Sequence, residues 1–380
     1  MKKKYIILSI IVLVLLITFV TSFNYFKTSN NYVEDSVNNQ TKIIKGISMN
    51  LEQTAGAGDY KTVTQSSWPT EGYKFNTELS RCENGSTLSW DDSKKAVVMN
   101  GNVSDKCYVY FDKVLTLANY VISQYTGIQG ENSLYYHDSN LANGVGDNSY
   151  RYAGASDSVN NYICLGSDAA TCPDDNLFRI IGVFGAQTKV IRAKSVGNQK
   201  WDTSSSNKWS SSSLNTYLNG TYLTSLGTLK NKIATTTWKV GGGTPANLSE
   251  VVPATAYKNE VGSSASRTIV NKKIGLMYVT DYYYSASPSA WTLVGYNSSD
   301  TTKDYRVAKT INWLYLGSIE WTISCHSGTS YSAFGVGNLG YVSGYFDVST
   351  SSAVRPTFNL ESSVKYVSGS GSMSDPVRVN

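Results

Sequence analysis

Phe178-Arg179-Ile180-Ile181-Gly182-Val183-Phe184 and Lys189-Val190-Ile191-Arg192-Ala193-Lys194 stand on either side of a four-residue turn. Both runs are apolar and rich in β-branched residues, so they read as the two strands of a β-hairpin. Downstream, Ser211 to Leu226 sets Leu214, Tyr217, Leu218 and Leu223 on one helical face, with serines available to cap its start. Lys273 to Val279 reads as a strand running into Thr280-Asp281, which can cap a short helix carrying Tyr282 to Ala286. Val354, Pro356, Phe358 and Leu360 alternate with polar residues, as a half-buried strand does. Pro356 lacks an N–H, which puts that strand at a sheet edge or starts it after the proline. These segments define a C-terminal domain over residues 161–380, of α+β class.

Upstream, residues 113–160 read as a connector, with Leu117, Tyr120, Val121 and Tyr125 at helical spacing, then a Gly-, Asn- and Tyr-rich loop. Residues 48–112 read as a small β domain. Its signals are Tyr73-Lys74-Phe75, Thr87 to Trp90, Ala96 to Met99, and Cys107-Tyr108-Val109-Tyr110-Phe111. Residues 27–47 are polar and Asn-rich, as a stalk is. In residues 1–26, Lys2, Lys3 and Lys4 precede an uncharged run from Tyr5 to Phe26. That run predicts a transmembrane helix with its lysine end in the cytoplasm and the rest of the chain outside the cell. A cleaved secretory signal is the rival reading, and both export the chain.

Composition suits export. Charged residues make up 16% of the chain, against roughly 25% in an ordinary soluble domain, and there are 28 tyrosines. The formal charge of +5 becomes +2 once the three leading lysines are set aside. That field is too weak, and too little clustered, for nucleic-acid binding. Cys82 and Cys107 bracket 24 residues and Cys164 and Cys172 bracket seven. Outside the cell such pairs read as disulfides, with free buried thiols as the alternative. Neither pair has the spacing or the nearby histidine of a zinc site, so no metal or other cofactor is expected. Cys325 is left over, either buried and inert or an exposed thiol.

Asn161-Tyr162-Ile163-Cys164, Cys172 to Phe184, Trp313-Leu314-Tyr315, Glu320-Trp321-Thr322-Ile323-Ser324, Val354 to Leu360 and Gly369 to Pro376 form a pattern. It resembles a family of uncharacterised surface proteins of Firmicutes and relatives of the Mollicutes. Their C-terminal domain of unknown function looks like the C-type-lectin-like fold shared with formylglycine-generating enzymes. The resemblance implies a cell-surface protein with a binding role. It also implies that the stretch from Cys164 to Val183 lies beside the closing strand Val354 to Leu360. An Arg follows the Glu320–Ser324 segment in the relatives, where this chain has Cys325, so a role resting on a cation there does not carry over.

Three function classes compete. For an enzyme, there are only His137 and His326, no G-x-S-x-G and no H-E-x-x-H. A Cys325–His326 dyad fails because neighbours on a strand point to opposite faces. For a pilin-like or structural envelope subunit, a Gly should precede the apolar run and a Glu should occupy its fifth position, whereas Lys4 and Ser9 stand there. For a binding protein, Trp313 to Phe346 holds two Trp, four Tyr and two Phe among Gly and Ser, as paratope-like and sugar-stacking surfaces do. The expectation is therefore a membrane-anchored adhesin or receptor-like protein contacting a glycan or protein through Tyr331, Tyr341, Tyr345, Phe346 and His326. Trp313 and Trp321, with apolar neighbours, belong beneath that face. Asp174, Asp175 and Asp281 read as solvated turn acids, since no calcium-loop ligand series is present.

Overall fold

The computed structural model describes residues 46–64, 67–69, 72–262, 268–294 and 310–380. They fall in two compact units divided after Leu115. The first unit holds β1 (Ile47–Glu52), β2 (Tyr60–Val63), β3 (Tyr73–Phe75), β4 (Arg81–Cys82), β5 (Thr87–Asp91), β6 (Ala96–Asn100) and β7 (Cys107–Lys113). β7 organises it, pairing in parallel with β1 and antiparallel with β3 and β4. Its side chains alternate buried and half-buried, so Cys107, Val109 and Phe111 enter the core. There they meet Trp68, Phe75 and Met99. The Cys82–Cys107 disulfide links two residues directly opposite each other in the ladder.

The second unit is built on a nine-stranded sheet containing the hairpin β11 (Leu177–Phe184) and β12 (Gln187–Arg192). The turn is two residues rather than four, and Gly185 takes φ +61° at its first central position, as a II′ turn requires. One edge of β11 is shared by two strands. β10 (Tyr162–Cys164) pairs along its first half and β9 (Ser149–Tyr152) along its second. β9 in turn pairs with β8 (Leu134–His137). A Cβ at Gly182 would lie 2.2 Å from the Tyr150 carbonyl oxygen, so this close approach needs glycine. On the far side, β12 pairs with β21 (Thr357–Leu360), and β21 with β16 (Ile274–Gly275). The closing strand was expected beside the Cys164–Val183 stretch. Instead it is separated from β11 by β12, although the Phe178 and Phe358 rings still meet at 5.3 Å. β23 (Val377–Val379) is the C-terminal strand that returns beside β10, and β22 (Tyr366–Ser368) lies outside it. The Cys164–Cys172 disulfide closes the loop between β10 and β11.

A second sheet runs β13 (Asn198–Lys200), β20 (Ser351–Ala353), β17 (Glu320–Cys325), β18 (Ser332–Val336), β19 (Val342–Asp347). β14 (Thr236–Val240) and β15 (Thr268–Lys272) form a separate ribbon. Helices are short: α1 (Leu117–Ser123), α2 (Ser213–Tyr217), α3 (Leu223–Ser225), α4 (Pro245–Leu248), α5 (Pro253–Glu260) and α6 (Val279–Tyr284). Between α2 and α3 the backbone widens into one π turn, Leu218–Tyr222. The helix α1 and strands β8 and β9, from the stretch read as a connector, lie within the second unit.

This architecture corrects the expected fold class. The described residues are mostly sheet with a few short helices, not α+β, because the alternating and doubly buried apolar runs all enter ladders. No described helix is long and apolar enough to cross a membrane. The transmembrane helix expected over residues 1–26 lies outside the described residues, so the structure gives it no support.

Candidate functional site

The residues expected to make contact lie on and around β17, β18 and β19, and glycines decide how they sit. Gly344 on β19 faces Phe334 and His326, and a Cβ there would fall 2.7 Å from Phe334 Cζ and 3.1 Å from His326 Cδ2. The His326 ring therefore lies against the sheet, 6.2 Å from Phe334 and 5.3 Å from Tyr345. His326 is buried at 6% exposure, which lowers its pKa. Its Nδ1 accepts from the Gly328 N–H at 3.1 Å, which places the ring proton on Nε2. Tyr345, at 67% exposure, covers it from the solvent side.

Tyr341 and Phe346 form a different group. Their rings stack at 6.4 Å, and Phe346 meets Trp321 edge-on at 6.3 Å. Gly335 and Gly337 make room for them, since a Cβ at Gly337 would lie 2.4 Å from Tyr341 Cζ. Small neighbours here do not keep a ring free. They let it lie flat on the strand. Tyr331, 53% exposed, stands in the turn before β18. The structure thus brings His326 to Tyr345 and Tyr341 to Phe346, with Tyr331 in neither ring pair. Trp313 and Trp321 are buried.

Sequence reading missed a set of buried charges. Lys189 on β12 pairs with Asp281 on α6 at 2.5 Å, both almost wholly buried. The Asp281 carboxylate also accepts from the Tyr278 N–H, so it caps α6 and holds an ion pair at once, rather than being a solvated turn acid. Arg151 pairs with Asp147 at 2.7 Å and lies over the rings of Phe184 and Tyr257. Burial by itself raises the Asp147 pKa, but the Arg151 guanidinium and the hydroxyls of Ser149 and Tyr257 outweigh it and hold the carboxyl at about 2. Arg151, Lys189, Asp281, Trp238 and Tyr278 line a cleft of about 210 Å³. Glu260 beside it accepts from the Val279 and Thr280 N–H groups and from the hydroxyls of Thr280 and Ser324, while burial pushes its pKa up. Each of these two cations already has a carboxylate: the Lys189–Asp281 pair ties β12 to α6, and Asp147, paired locally with Arg151, ties the turn before β9 to α5 by accepting from the Tyr257 hydroxyl. By contrast, Asp174 and Asp175 are exposed and paired with Lys194 and Arg192.

The segments that carry the family resemblance meet at a further buried cluster. Glu320 receives two hydrogen bonds from Arg355, each 2.7 Å. Arg179 lies between the rings of Tyr162 and Trp313, at 4.3 and 4.7 Å, and donates to Asn161, Ser156 and the Val159 carbonyl. Its side chain has no carboxylate partner among these contacts, and burial lowers its pKa to about 10. A charged residue inside an apolar strand was the available signal for this cluster, because a buried charge requires partners. Among the described residues no three His, Cys, Asp or Glu side chains group as a metal site.

A DUF6273 domain, a domain of unknown function, covers residues 186–362. It begins in the β11–β12 turn and ends just after β21, so it spans the second sheet and the charged cleft's β12 and α6 but leaves out β8 to β11 and the closing strands. No curated protein and no solved structure matches the chain. What these matches support is this domain; neither the expected surface-protein family nor the lectin-like fold finds a counterpart among them.

Proposed function

We propose that this chain is an exported binding protein whose second unit meets its ligand, a glycan or protein outside the cell, on the β17–β19 face. The observation that carries this reading is Tyr345. Its ring stands two-thirds exposed on a strand hydrogen-bonded to β18, backed by buried His326. Ile319, Tyr331 and Leu339, also exposed, belong to the same stretch of chain. A ring held on a rigid ladder loses little entropy on binding, and its face accepts sugar C–H groups or peptide side chains. Two disulfides accord with an oxidising compartment outside the cytoplasm. Chemistry has less support than binding: His137 is sealed between Tyr284 and Trp291, and His326 has Nδ1 engaged. A glycan array and a pull-down from surface extracts, run with wild type and Tyr345→Ala, test the proposal. Loss of the captured ligand in the variant, with an unchanged Tm, is the expected result. Equal capture by both would remove the face from consideration.

A further inference from the structure

A second feature lies away from that face. The β12 end, the loop after β10 and the helical stretch from α2 onward line an open cleft of about 660 Å³. That is within the roughly 300–1,000 Å³ of small-molecule sites. Phe178 forms one wall, and Tyr217 and Tyr222 form another, their rings 6.4 Å apart. Tyr222 closes the π turn Leu218–Tyr222, and such a widened turn re-aims the side chains that follow it.

Two polar groups on the lining make no well-formed hydrogen bond, although the Arg192 guanidinium lies near enough to the Tyr222 hydroxyl to pull its pKa down. One is the Tyr222 hydroxyl, on a side chain only 5% exposed; the other is Arg192 Nε. Leaving such groups buried and unpaired is costly, so a native fold normally supplies a partner. Arg192 spends its Nη2 on Asp175, and its side chain is about nine-tenths buried. Burial keeps the Tyr222 phenol protonated, raising its pKa to about 12 against the pull of Arg192.

From this geometry we infer that the cleft binds a neutral sugar ring. Four features select that class. The charge on Arg192 is already met by Asp175, so a charged ligand would bring an unbalanced charge into the site. Arg192 Nε and the Tyr222 hydroxyl can both donate, which asks for acceptor oxygens on the ligand. Tyr222 can also accept from a ligand hydroxyl. The ring of Tyr217, half-buried on the lining, and the edge of Tyr222 beside it match the apolar C–H patches of a pyranose, with buried Phe178 as the floor beneath. The site draws on both sides of the DUF6273 boundary, since Phe178 and Asp175 precede it and Arg192 and Tyr222 lie inside it. It is independent of the Tyr345 face and stands or falls separately.

The test uses the full chain and the methyl glycosides of glucose, galactose, mannose and N-acetylglucosamine, with methyl glucuronide and inorganic phosphate as charged comparators. Titration calorimetry and saturation-transfer NMR give affinity and contact. At least one neutral glycoside binds, and Tyr222→Phe weakens it by about tenfold or more. The same variant leaves Tm nearly unchanged, because the hydroxyl it deletes makes no well-formed hydrogen bond in the free protein. Arg192→Lys, which keeps the charge beside Asp175 but removes Nε, weakens binding likewise and serves if the first variant folds poorly. The inference is overturned if no neutral glycoside binds, if a charged comparator binds better than all four, or if both variants bind as wild type does.

Discussion

Glu320 and Arg355 form a two-pronged ion pair inside the second unit, with the glutamate 1% and the arginine 3% exposed. They come from segments 35 residues apart, one opening β17 and the other preceding β21. Removing one partner leaves an uncompensated buried charge, so Arg355→Met is expected to cost about 3–5 kcal/mol. Replacing both, as Glu320→Leu with Arg355→Met, should recover most of that loss. Urea unfolding of the three proteins measures it. A single variant as stable as wild type would show that the pair does not hold these segments.

His137 supplies a pH dependence. Burial, with a smaller push from Arg151, drives its pKa from 6.5 down to about 2. The folded value lies below the unfolded one, so the unfolded chain binds the extra proton between those limits. Stability from this group is complete above about pH 6.5 and declines as pH falls, by at most about 1.4 kcal/mol per unit. His137→Phe, which fits among Tyr284 and Trp291, should flatten the stability profile between pH 6.5 and 4.5 relative to wild type. Parallel profiles for the two proteins would count against this assignment.

The two disulfides should differ in worth. The loop closed by Cys82 and Cys107 has a separation of 25 and that closed by Cys164 and Cys172 a separation of 8. Loop-closure entropy then gives about 3.5 kcal/mol for the first and about 2.5 kcal/mol for the second. Denaturant unfolding of Cys82→Ser and Cys172→Ser, followed by fluorescence of Trp90 and Trp201 respectively, compares them. A larger loss at the shorter loop would point to strain or contacts rather than chain entropy.

Gly344 is expected to tolerate no side chain. A methyl group there meets Phe334 and His326, so Gly344→Ala should cost about 1–3 kcal/mol and displace the His326–Tyr345 pair. Chemical shifts of the His326 ring report the displacement. Unmoved shifts with full stability would mean that the sheet relaxes locally.

The local pieces of the fold are legible in the amino-acid sequence. It marked the β11–β12 hairpin, the β5–β6 hairpin and β7, because a two-residue period and β-branched runs act over a few neighbours. It paired the cysteines correctly, because close spacing leaves few alternatives. Burial of Trp313 and Trp321 followed from their apolar neighbours. What it left undecided was long-range. Only the tertiary structure inserted β12 between β11 and the closing strand, and assigned α1, β8 and β9 to the second unit. Only there do Asp281 and Lys189, which are 92 residues apart, become an ion pair, and only there do Tyr341 and Phe346 lie flat over Gly337 and Gly335 rather than standing out as contact residues. The cleft under Tyr222 and Arg192 belongs to this class too. Its walls come from four separate stretches, and neither the shape of a cleft nor an unmet hydrogen bond is a property of any one of them.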